Sequence, residues 1–107
     1  MSLDGNRLLV TLAALSNPHR LRIVAALSSH GRNYVSQLAR ELGISRPLLH
    51  LHLQKLESAG IVTSTLELSA DGKALNYIEL ADFSVVLNPA VIAEAAASLR
   101  EPGTDSD

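Results

Sequence analysis

Only Gly43 and Ile44 separate two helix-forming stretches, VSQLAREL over residues 35–42 and a second that starts at Ser45. No other feature of the chain limits its fold so much. Two helices joined by so short a link cross steeply. A steep crossing asks for a small residue at the point of contact, a glycine able to turn left-handed, and apolar anchors from both helices. Ala39 supplies the small residue, Gly43 the turn, and Leu38, Leu42, Ile44, Leu49 and Leu53 the anchors. This is the spacing of a helix-turn-helix. Ser45 is a good N-cap for its second helix, Pro47 fits the first turn and would be disruptive later, and Gly60 ends the helix after Ala59.

The flanking sequence adds two helices before this unit. NRLLVTLAAL, residues 6–15, is apolar and helix-forming, and it stops at Ser16-Asn17-Pro18. Asn17 then caps a second helix with Pro18 at its first position, where the missing N–H costs nothing, and Gly31 closes it after His30. Arg32 and Asn33 read as a short polar link. After Gly60 the pattern changes. IVTSTLEL and ALNYIEL are β-branched and apolar at near-alternate positions, and Ala70-Asp71-Gly72-Lys73 between them is turn chemistry, so a β-hairpin is expected. DFSVVLN connects to PAVIAEAAASL, a last helix with Asn88 as cap, while REPGTDSD, residues 100–107, has nothing to bury and is expected to be a disordered polar tail. The fold class is mainly α with a β-hairpin wing, a winged helix-turn-helix in the order α-α-α-α-β-β-α, with residues 1–99 as one domain.

Composition removes several functions. A chain of 107 residues supports one small domain, whose marginal core would gain from a second subunit. With no cysteine, disulfides, thiolate metal sites and thiol nucleophiles are excluded. There is no long apolar run, and Asp4 stands where a secretory segment would carry bases, so a soluble cytoplasmic protein without a membrane partner is expected. No Gly-rich phosphate loop, triad spacing or carboxylate pair points to an enzyme, and no cofactor is implied. The net charge of −2 conceals a division along the chain. Residues 17–60 carry six Lys and Arg against two Glu, a net of +4, whereas residues 61–107 carry two against eight, a net of −6. A basic module of this kind is a weak pointer to a polyanionic partner.

On a helical wheel begun at Ser45, Leu49, His52, Leu53, Leu56 and Ala59 gather into one stripe, expected to be buried. Arg46, Pro47, His50, Gln54 and Glu57 spread over the opposite side with Leu51 at their edge. His50 and His52 could clasp one ion in a strand, but in a helix they point about 200° apart. His50 is therefore expected to face outward and His52 to be a packing residue that needs a hydrogen-bond partner. Arg, His and Gln near the start of an exposed helix face suit the major groove, because they can donate to base edges and phosphates, and Leu51 could meet a thymine methyl. His19 and His30, at opposite ends of the second helix, read as surface or capping residues.

With LSNPHRLRIVAAL (15–27), QLARELGISRPLLHLHLQKLESAGIV (37–62) and the wing turn Asp71-Gly72-Lys73, nearly the whole chain resembles the ArsR-type family of dimeric winged-helix transcriptional repressors. The resemblance implies a homodimer built on the first and last helices, with both recognition helices, residues 45–59, presented to an inverted-repeat operator in double-stranded DNA. Interface candidates are Leu8, Leu9, Leu12, Ile92, Ala95, Ala96 and Leu99, since LLVTLAAL and AVIAEAAASL are apolar over too wide an arc for a small monomer to cover, the alternative being that both complete the monomer core. DNA-binding candidates are Ser36, Gln37, Arg40, Ser45, Arg46, Pro47, His50, Leu51, Gln54, Lys55 and Lys73. The chain departs from the family in two places. Tyr34 and Ser36 stand where metal sensors carry a cysteine pair, and the last helix offers only Glu94, so no metal site is expected, and a small molecule, a partner protein or no inducer at all remain open. The wing offers Lys73 alone beside Asp71 and Glu67, so its share of DNA affinity should be modest. The other function considered is a winged helix that binds protein and has no specific DNA site.

Overall fold

Four of the five helices among the described residues begin where a side chain satisfies free N–H groups of the first turn, whereas α3 (Val35–Leu42) starts without a side-chain cap. A computed structural model describes residues 4–100 of the chain. In α1 (Gly5–Leu15) Asp4 accepts from the Arg7 N–H at 2.7 Å, and in α2 (Pro18–His30) the Asn17 side chain accepts from the N–H groups of His19 and Arg20. The helix-turn-helix follows as α3 (Val35–Leu42) and α4 (Arg46–Ser58). Gly43 between them takes φ +69°, a conformation open to glycine at little cost, and the Ile44 N–H returns to the Ala39 carbonyl at 3.1 Å. Ser45 Oγ accepts from the Leu48 N–H and so starts α4. Asn88 does the same for α5 (Pro89–Ala96) through the Val91 N–H.

The wing is larger than a hairpin. β2 (Val62–Leu68) and β3 (Ala74–Leu80) pair antiparallel, and β1 (Asn33–Tyr34) pairs with the other edge of β3, Asn33 facing Ile78 and Tyr34 facing Tyr77. The order is thus α-α-β-α-α-β-β-α. The polar link expected at Arg32 and Asn33 is in part a strand, because β3 leaves an edge that two residues of backbone can satisfy. The last helix is shorter than PAVIAEAAASL. After Ala96 the N–H groups of Ser98 and Leu99 bond to carbonyls three residues back, a tighter turn than an α-helix makes. Of the tail expected over residues 100–107, only Arg100 lies among the described residues.

Ile23, Leu27, Leu38, Leu49, Leu53, Leu56, Ile61, Val62 and Ile78 form one core, which holds α2, α3 and α4 against the root of the wing. Leu38, Leu49 and Leu56 are completely buried. The apolar stripe of α4 therefore lies inward as the wheel requires, with His52 in it and Ala59 half-buried. α5 packs chiefly on α1 and buries only Ala95. Among the described residues no helix is long and apolar enough to cross a membrane.

Candidate nucleic-acid interface

Because the inner face of α4 is committed to the core, its outer face is presented to solvent: Arg46, Pro47, His50, Leu51, Gln54 and Lys55 are all exposed. Pro47 lies in the first turn, where its absent N–H leaves nothing unpaired. The start of this face opens into a groove between the helix-turn-helix and the wing. Ser36 and Arg40 of α3, Arg46 of α4, and Lys73 at the wing turn line it together with Tyr34 and Asp71. Its continuation brings His50 beside Ser36, Arg46 and Asn76. Three cations and one carboxylate thus meet along one concave surface that also contains the N-terminus of α4, where the helix dipole favours an anion.

The remaining candidates lie outside this groove. Gln54 and Lys55 line a shallow depression further along α4 with Glu57 and Ser58. Glu57 is turned toward the wing by the Ser64 hydroxyl, which donates to it at 2.8 Å. Gln37 is half-buried and donates to Glu41 at 3.3 Å, and Ser45 spends its hydroxyl on the helix cap. Tyr34 and Asn76 line the groove without having been singled out as DNA contacts in the sequence. The pairing of β1 with β3 helps bring the wing to α3, and nothing local announces it.

Local pairing reduces the repulsion that the wing's acids would offer a phosphate. Arg32 forms a two-pronged ion pair with Glu67 and lies 4.2 Å over the Tyr77 ring, which in turn meets Tyr34 edge-on. The Arg32 hydrogen bond holds the Glu67 carboxyl below its ordinary pKa. Asp71, held low chiefly by a hydrogen bond from the Ser69 hydroxyl, is folded into its own turn. Gly72 completes that turn at φ +84° and Lys73 projects from it, exposed.

His52 has the packing role expected, and its partner is Arg20, whose Nε donates to Nδ1 at 3.2 Å. His19 is not the free surface residue expected: it is half-buried with its ring 5.2 Å from that of His52. His30 is exposed at the end of α2. Of the interface candidates, Leu8 and Ala95 are already covered within the chain and Leu12 is half-buried, whereas Leu9, Ile92, Ala96 and Leu99 are exposed.

Residues 15–65 match the family model described as a helix-turn-helix domain. An uncharacterised HTH-type transcriptional regulator of Methanocaldococcus jannaschii is 37% identical over 79 residues, which cover 74% of this chain and 81% of that protein. Among solved structures, the homodimeric winged helix-turn-helix DNA-binding domain of a possible ArsR-family regulator from Mycobacterium bovis is 24% identical. It covers 86% of this chain and 74% of that one at a TM-score of 0.63. The transcriptional regulator HlyU of Vibrio vulnificus is 26% identical, covering 86% of this chain and 83% of that one at a TM-score of 0.56. With the fold, the exposed outer face of α4 and these relatives together, the chain belongs to the helix-turn-helix transcriptional regulators, and its winged-helix fold is of the ArsR type.

Proposed function

We propose that the protein is a homodimeric repressor that binds an inverted-repeat operator, inserting residues 45–59 of each subunit into successive major grooves. The observation that carries this reading is the meeting of Arg40, Arg46 and Lys73 along one groove at the N-terminal end of α4. In this reading Arg40 and Lys73 hold phosphates beside the start of α4, while Arg46, His50, Leu51 and Gln54 meet base edges. With Glu67 and Asp71 engaged within the wing, Lys73 acts beside α3 and α4. The second subunit would cover Leu9, Ile92, Ala96 and Leu99, and the Mycobacterium bovis relative is itself a homodimer. Tyr34, packed on Tyr77, and Ser36 in the groove stand where the family's cysteine ligands would be, which favours release by a small molecule or a protein over release by a metal.

Titration of a labelled duplex taken from upstream of its own gene tests the assignment. Arg46→Ala and Gln54→Ala are each expected to weaken binding by about 1–3 kcal/mol, the range for a lost base contact. Unchanged affinity in both, with the fold and the dimer intact, would overturn the reading face. Arg40→Ala and Lys73→Ala should each lower the slope of log affinity against log salt by about 0.9, the value for one phosphate contact. A wild-type protein that gives no specific shift at moderate salt would favour a protein-binding module instead.

A further inference from the structure

Behind the reading face, one side chain joins three helices. Arg20 of α2 donates through Nη1 to the carbonyls of Ala13 and Ala14 at 3.2 and 3.3 Å, and through Nε to His52 Nδ1 at 3.2 Å. Ala13 and Ala14 lie in the last turn of α1, where the Ala13 carbonyl also accepts from the Ser16 N–H and the negative end of the helix dipole attracts a cation. A planar guanidinium can hold both partners at fixed angles, which a lysine could not. We infer that Arg20 is a positioning residue for the DNA-reading helix, a clamp that ties His52 of α4 to the end of α1 and opens when His52 takes a proton. The DNA readout of this inference rests on the function proposed above.

The chemistry of the clamp follows from its donors. A guanidinium Nε–H can only donate, so Nδ1 must accept, and the neutral imidazole carries its proton on Nε2. Nε2 is buried without a partner, and the whole side chain is 8% exposed. A second proton would set an N–H against the Arg20 N–H and a cation against a cation, with little water to screen them. The charged or titratable groups that act on the ring come from α2, namely Arg20 and His19, while α1 presents main-chain carbonyls to the same guanidinium. Burial first, then Arg20 and His19, hold the His52 pKa below its ordinary value. The neutral clamp is therefore fully formed above the unfolded pKa of about 6.5 and is lost as pH falls through the lower folded value. His50 is a second imidazole on the exposed face of the same helix, so the test removes it.

The test uses the upstream duplex in a His50→Gln background, read by fluorescence anisotropy from about pH 7.5 to about pH 5.5. Affinity is expected to fall about three- to tenfold across this range, the scale of one lost hydrogen bond. His52→Asn should flatten the profile, because the amide oxygen can accept from Arg20 in place of Nδ1 and has no proton to gain. Arg20→Gln should weaken binding about three- to tenfold at the upper pH. Identical pH slopes with and without His52→Asn, or an Arg20→Gln protein of unchanged affinity, would overturn the inference. Nitrogen-15 NMR of the wild-type imidazoles needs neither DNA nor a variant. It should find His52 protonated on Nε2 and titrating below a free imidazole, and a proton on Nδ1 or an ordinary titration would overturn the clamp. If the wild-type protein fails to bind the duplex at every pH, the proposed function falls and the NMR result still decides whether the clamp exists.

Discussion

Leu49→Ala is expected to destabilise the protein by about 2–5 kcal/mol, the range for emptying a closed leucine site. Leu49 is completely buried, although Arg46 and His50 on either side of it in sequence are exposed. A small domain has roughly 5–15 kcal/mol of stability in total, so the substitution takes a large part of it. It also frees the helix whose fixed orientation would aim the side chains proposed to contact DNA. Leu51, only two residues on, is 61% exposed. Leu51→Ala should change stability by no more than about 0.5 kcal/mol, as surface substitutions do, and exert any effect on DNA affinity instead. Urea denaturation of the two variants separates the faces: the midpoint should move for Leu49→Ala at unchanged m-value and stay for Leu51→Ala. The reverse ranking would show that α4 is rotated.

Those two leucines also show why part of this molecule was legible in its sequence. The period of α4 alone separates Leu49, His52, Leu53 and Leu56 from Arg46, His50 and Gln54, and the burial follows that division. Asn17, Ser45 and Asn88 mark helix starts because capping is a contact between near neighbours, and each of the three makes that contact. What the sequence hid depends on distant partners. β1 is two residues long, too short for any alternation, and is a strand only because β3 lies beside it. Arg20 and His52 are 32 positions apart, and Arg32 and Glu67 are 35 apart, so neither pair leaves a local pattern. The candidate site divides in the same way: the outward face of α4 is legible from its period, while the gathering of Arg46 with Ser36, Arg40 and Lys73 around one groove is a property of the assembled wing.

Gly5→Ala is expected to disrupt the crossing of α1 and α5, although nothing in the local sequence marks Gly5 as a contact. A Cβ at this position would stand 2.4 Å from the Ala95 carbonyl oxygen and 2.6 Å from the Leu99 side chain. Leucine can turn aside, but the Ala95 oxygen belongs to the main chain, so one helix must shift. The shift would also strain the bond from the Gly5 N–H to Ser98 Oγ at 2.7 Å, and Ser98 itself donates to the Ala95 carbonyl. Overpacking of this kind costs about 1–3 kcal/mol. Since α5 packs chiefly on α1, the loss falls on one junction and leaves the core around Leu38, Leu49 and Leu56 untouched. That junction sets Leu9, Ile92, Ala96 and Leu99 relative to one another, the apolar groups assigned here to a second subunit. Sedimentation should therefore find a weaker dimer. Binding to an operator with two half-sites should fall by more than binding to a single half-site, because only the former needs both subunits held at fixed spacing. An unaltered dimer with an unaltered melting temperature would mean that the close approach at Gly5 is not maintained in solution. A destabilised protein with an unaltered dimer would move the subunit interface away from these two helices.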